Sequence, residues 1–176
     1  MQLDQLLKSA IAVVLVTVGC ATTEAQSLDD AAIAHIAYTA DELDIRYAHL
    51  ALALSENPTV REFAELMIRD HSAVNSEALS LVKKLKVMPK DNDTSRQLVK
   101  QGVAIRDELR ALAGAAFDKR YAENELGYHQ FVNNTVETQF IPSVKNAEFK
   151  DFLSQALKVF KTHETHAADM VRAVSQ

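Results

Sequence analysis

Asn57-Pro58-Thr59-Val60-Arg61-Glu62-Phe63-Ala64-Glu65-Leu66-Met67-Ile68-Arg69-Asp70-His71 reads as the first half of a long amphipathic helix. Asn57 can cap it, Pro58 suits its first position, and Glu62 lies near the positive end of its dipole. Val60, Met67, Val74 and Leu81 form one stripe, and Ala64, His71, Ala78 and Leu85 form a second beside it. Both lie on one face, so His71 stands where a helix would otherwise bury an alkyl side chain. An unsatisfied ring nitrogen in an apolar core costs about 1–3 kcal/mol. An inward imidazole therefore needs a partner.

The same periodicity extends in both directions. Asp29 and Asp30 offer caps for a helix from about Asp29 to Ser55, in which Ile36, Leu43 and Leu50 share a stripe with Ala40, Tyr47 and Leu54. The helix that begins at Pro58 runs to about Lys86, and Lys83, Lys84 and Lys86 in its last turn suit the dipole. Residues 87–93 have the Pro and Asn/Asp chemistry of a loop. Thr94 or Ser95 can cap a shorter helix through Leu112, broken at Gly114. A fourth helix is predicted from about Ala115 to Thr138, ended by Phe140-Ile141-Pro142, and a last one from Ala147 to Val174. No segment alternates convincingly as a strand.

Helices of 24–29 residues are about 40 Å long. Joining the third and fourth into one rod would give nearly twice that, so Gly114 is expected to bend or reverse the chain. The short helix then becomes part of a long crossover. The expected fold is all-α: a four-helix bundle with an extra short helix in the crossover between the second and third long helices, a connection characteristic of ferritin-like bundles.

Composition agrees with one helical domain over residues 26–176. Of the 176 residues 48% are hydrophobic, and Gly and Pro together number only seven. The net charge of −5 and the lack of a basic cluster argue against nucleic acid as a partner. Residues 1–25 read as an export signal: Lys8, a short apolar run from Ala10 to Val18, then small residues. The run is too short to span a membrane. Val18-Gly19-Cys20 resembles the end of a lipoprotein signal, which makes Cys20 a candidate lipid anchor, although Thr17 departs from that pattern. Ordinary cleavage after Ala21 or Ala25 is the competing reading. The expected location is the periplasm or the outer membrane.

Asp44, His71, Glu125, His129 and His163 all fall near the middle of a long helix and on or beside its inward face. Glu125 and His129 are four apart and share a face. Inward groups at mid-height in a bundle meet at one level, so these five are the candidate metal ligands. Imidazole and carboxylate together suit Zn, Fe, Cu, Mn or Ni. The competing reading is a hydrogen-bonded polar network without metal. His166 lies at the flank of its face, His35 and His49 lie near the ends of the first helix, and Asp70, about 100° from His71, suits a surface cation. Tyr121, Tyr128, Phe117 and Phe131 form an aromatic stripe beside the site, read as core packing. No glycine-rich phosphate loop, nucleophile elbow or paired-cysteine zinc motif is present.

Asn57 to Ala64, Met67 to His71, Gly114 to Tyr121, His129, Ile141-Pro142 and His163-Glu164-Thr165-His166-Ala167 together resemble a bacterial family of exported ferritin-like domains of unknown function, often labelled "predicted outer membrane protein". The resemblance covers nearly the whole chain after the signal. It implies a ferritin-like bundle and export, and marks His71, His129 and His163 as recurring histidines. It implies no activity. Di-iron members of the ferritin-like class use two Glu-x-x-His motifs. Here Glu125 and His129 are spaced by four, and Ile68 and Met67 precede His71. A di-iron oxidase or storage cage is therefore disfavoured against a mononuclear site or no metal. Two functions remain: an envelope protein that binds a transition metal in mid-bundle, or a non-catalytic structural or stress-related module.

Overall fold

The structure, a computed structural model, describes residues 28–176. The expected signal segment and Cys20 lie outside the described residues. Helices run over Asp30–Leu54 (α1), Pro58–Leu85 (α2), Asp93–Arg110 (α3), Gly114–Thr135 (α4), the single turn Ile141–Ser143 (α5) and Ala147–Val174 (α6). A π-helical segment, Val136–Phe140, joins α4 to α5. No strand occurs among the described residues.

Local chemistry accounts for the boundaries. Asp29 caps α1 by accepting from Ala32 N at 2.8 Å, and Asn57 caps α2 ahead of Pro58. α2 ends at Lys86 in the left-handed conformation, with Val87 N donating back to Val82 O. The cap of α3 differs from expectation. Asn92, in extended backbone, is the cap, and Ser95 sits three residues on as the reciprocal partner of a capping box. Gly114, with φ of 54°, starts α4 at the predicted break.

The fourth helix does not stop near Thr138. Pro142 has no N–H to donate and its ring would crowd the carbonyl four residues earlier. The chain meets this by widening: Ile141 N donates to Val136 O, and the helix passes through a π turn before ending at Ser143.

Contacts at the ends set the direction of each helix. At one end Lys145 N and Asn146 N donate to Asp30, and Lys90 N donates to Ala31 O. At the other end Ser55 meets Asp118, and Arg120 pairs with Glu108. α1 and α6 therefore run one way, α2 and α4 the other, and α3 carries the chain back along the bundle. α1 packs on α2 and α4, α6 packs on the same two, and α3 lies against α1. The protein is an all-α bundle with one long crossover that contains a helix, as the sequence predicts.

α3 approaches α1 closely because Gly102 lacks a side chain. A Cβ there would run into Leu43 Cδ2, and Leu43 is itself core. Gly102→Ala is expected to destabilise the protein by about 1–3 kcal/mol through overpacking. Urea denaturation checks this; a loss below about 0.5 kcal/mol would mean that α3 is only loosely held.

Candidate metal centre

A polar layer crosses the bundle at mid-height. α1 contributes Asp41 and Asp44, three apart and on one face; α2 contributes His71; α4 contributes Glu125 and His129; α6 contributes His163. All six are buried, Asp44 and Glu125 completely. The structure thus brings together all five side chains singled out from the sequence. His71, His129 and His163 each offer a ring nitrogen within 4.8 Å of the other two, and Asp44, Glu125 and His129 form a second such group. The three rings lie 5.1–5.8 Å apart between centroids.

Each imidazole has one nitrogen held from outside the centre. His71 Nδ1 lies 2.9 Å from Asp41 Oδ1, His129 Nδ1 lies 2.9 Å from the Glu125 carbonyl oxygen, and His163 Nε2 lies 2.9 Å from Asp70 Oδ2. Among the described residues the opposite nitrogens, His71 Nε2, His129 Nε2 and His163 Nδ1, have no hydrogen-bond partner, and neither does either oxygen of Asp44. Asp44 Oδ2 is 2.7 Å from His71 Nε2 and 3.5 Å from His129 Nε2. The shorter contact has ion-pair distance but lacks the alignment of a hydrogen bond. Phe160 stacks on His71 with centroids 4.9 Å apart, which closes that side with an apolar wall.

The layer is electrically self-consistent. Burial pulls the His71 imidazole down, but the carboxylates of Asp44 and Asp41 outweigh it and raise its pKa to about 10. Burial pushes Asp44 up, and His71 and His129 outweigh that, leaving it below the usual carboxylate range. Burial, reinforced by Asp44, raises Glu125 well above its ordinary value and favours its neutral acid form. Burial also lowers His129 and takes His163 down to about 4, so both present a lone pair at neutral pH.

Two residues act here that the sequence reading does not assign to the centre. Asp70 does pair with a surface cation, Arg69, at 2.8 Å, but its other oxygen holds His163. Its offset around α2 aims it at α6, which spacing along α2 alone does not reveal. Asp41 could have been noticed from its spacing to Asp44. His166 and His49 are exposed and His35 is half-buried, all away from the centre. Tyr121 and Phe117 stack in the core, whereas Phe131 is 58% exposed and leaves the aromatic stripe.

No helix among the described residues is long and apolar enough to cross a membrane. No curated protein and no solved structure matches the chain. The sequence model of a family described as a domain of unknown function (DUF4142) matches residues 17–170, from ahead of α1 almost to the end of α6. The chain belongs to that family of unassigned function.

Proposed function

We propose that the protein binds one divalent first-row transition metal ion in mid-bundle, through His71, His129, His163 and Asp44, with Glu125 adjoining. One observation carries this reading. Each of three histidines on three helices has one nitrogen fixed by a carboxylate or backbone carbonyl and the other without a hydrogen-bond partner among the described residues, and those of His71 and His129 lie beside Asp44. Metal-ligating histidines are oriented in this way. A tetrahedron with bonds of roughly 2.1 Å has edges of about 3.4 Å. The ligand atoms of the three histidines lie within 4.8 Å of one another, as do those of Asp44, Glu125 and His129, so closing either group on an ion needs an inward adjustment, with His129 the residue that links the two. The imidazole-rich donor set suits Zn, Cu, Fe or Ni. Export to the cell envelope rests on residues 1–25 and belongs to the same proposal. The long crossover is the connection of ferritin-like bundles, which supports the scaffold named by the resemblance.

A second reading has its own support. His71, as an imidazolium between Asp41 and Asp44, forms an ion-paired network that requires no metal. Titration separates the two. The ligand set must shed the His71 proton, and the Glu125 proton as well where that carboxylate turns to the ion, so calorimetry with Zn2+ in two buffers of different ionisation enthalpy is expected to show about one ion bound per chain and roughly one to two protons released. No saturable binding of Zn2+, Cu2+, Fe2+ or Mn2+, with no change in Tm, would leave the ion-paired network as the function of the layer.

A further inference from the structure

Between the polar layer and the end of the bundle where α1 begins lies a cavity of about 360 Å³. Close-packed interiors contain few voids larger than a water molecule, whereas ligand pockets begin near 300 Å³. The space exists because small side chains face it: Ala34 and Ala40 from α1, Ala78 from α2, Ala156 from α6. Most of the rest of its wall is aliphatic and aromatic, including Val82, Phe149, Leu153 and Phe160. The π segment forms another side, with Val136 and Phe140 both in the wall. Such segments are frequent at functional sites. Along α1 the lining runs from Ala34 to Asp41, about 10 Å. Along α6 it runs from Phe149 to Phe160, about 16 Å. Leu79 and Phe131, which are 50% and 58% exposed, also line it and connect it to the surface.

Two polar atoms on residues of the wall, His35 Nδ1 and Asn75 Oδ1, are buried with no hydrogen-bond partner among the described residues, and Asn75 is the more deeply buried residue of the two. Asn75 is 5% exposed, and its Nδ2 donates to Glu42 Oε1 at 3.2 Å. That donation fixes the orientation of the amide and leaves Oδ1 as an acceptor without a partner among the described residues. A buried acceptor calls for a donor. Asp41 lies in the same wall and Glu42 adjoins the amide, so an anionic head would be repelled, while an ionic head of either sign would lose its hydration in an apolar space.

We infer that this cavity binds a neutral, elongated amphiphile of the medium-chain alcohol class, its apolar body among the phenylalanines and its hydroxyl donating to Asn75 Oδ1. The site is distinct from the metal centre and does not rest on it, although Phe160 and Asp41 belong to both walls.

Displacement of the neutral fluorophore N-phenyl-1-naphthylamine from the chelator-treated protein tests this. 1-Decanol is expected to displace the dye saturably at one site, and decanoate at least about tenfold more weakly. Decyl methyl ether keeps the body but cannot donate, and is expected to bind several-fold more weakly than decanol. Asn75→Leu is expected to erase the preference for alcohol over ether while retaining the dye. Ala156→Leu and, at a half-buried position that tolerates bulk more readily, Ala78→Leu are expected to fill the cavity and abolish dye binding with the helical circular dichroism intact. Absence of saturable dye binding in the unmodified protein would overturn the inference. So would equal binding of alcohol, ether and carboxylate, or dye binding that survives in both filled variants.

Discussion

Asp44→Ala is expected to destabilise the metal-free protein by about 3–5 kcal/mol, the range for removing one partner of a buried ion pair. Asp44 is wholly buried, 2.7 Å from His71 Nε2 and 3.5 Å from His129 Nε2. Its loss leaves the His71 imidazolium with Asp41 alone, at a depth where an uncompensated charge is costly. The effect should follow pH. His71 has its pKa raised from 6.5 to about 10, so its contribution is complete below 6.5 and is lost as pH rises toward 10. Asp44 has its pKa lowered from 3.8, so its contribution is complete above 3.8 and is lost in acid. The difference between wild type and variant is therefore largest between those two ordinary values. Urea denaturation with chelator present, repeated across pH, measures it. The double variant Asp44→Leu with His71→Leu is the informative companion, because replacing a whole buried pair with apolar groups is often neutral or stabilising. A single-variant loss below about 1 kcal/mol would mean that solvent reaches the layer.

His129→Ala is expected to weaken metal binding by more than about 100-fold, beyond the 10–100-fold that loss of an outer partner typically causes. His129 is the residue common to both clusters of ligand atoms, one with His71 and His163 and one with Asp44 and Glu125. Asp70→Asn probes the outer tier: it leaves every candidate ligand in place but weakens the hold on His163 Nε2, and should fall within that 10–100-fold range. Competition against a chelating indicator gives both affinities. If His129→Ala binds the ion as tightly as the wild type, the ligand set proposed here is wrong. Equal losses for the two variants would place Asp70 in direct contact with the ion, not behind it.

Much of the fold was legible because capping and amphipathicity are local. Asn57-Pro58 marks the start of α2, and the last helix spans Ala147 to Val174 as predicted. The departures also have local causes that were harder to rank. Asn92 outcompetes Thr94 and Ser95 as the cap because its side chain accepts from Ser95 N while Ser95 accepts from Asn92 N, a reciprocity that either residue alone would not reveal. Pro142 signals a helix end in the sequence, and the chain accommodates it by a π turn in which Val136 and Phe140 are both buried. The proximity of Asp44, His71, Glu125, His129 and His163 was legible because mid-helix position converts to height in a bundle of equal rods. The pairing of Asp70 with a surface cation is legible on α2 alone, whereas its hold on His163 depends on which helix lies beside its flank of α2.

By itself the sequence determined the helices, their order, the need for a crossover, and the inward aim of His71, His129 and His163. Those are properties of one helix at a time, set by the period of 3.6 residues and by capping groups within a few residues. Only the tertiary structure decided that Asp41 and Asp70 hold two of the imidazoles from behind, that Asp44 sits between His71 and His129, and that alanines from three helices leave a cavity beneath them. Those features depend on the neighbours and relative height of packed helices, and periodicity along one chain segment carries no information about either.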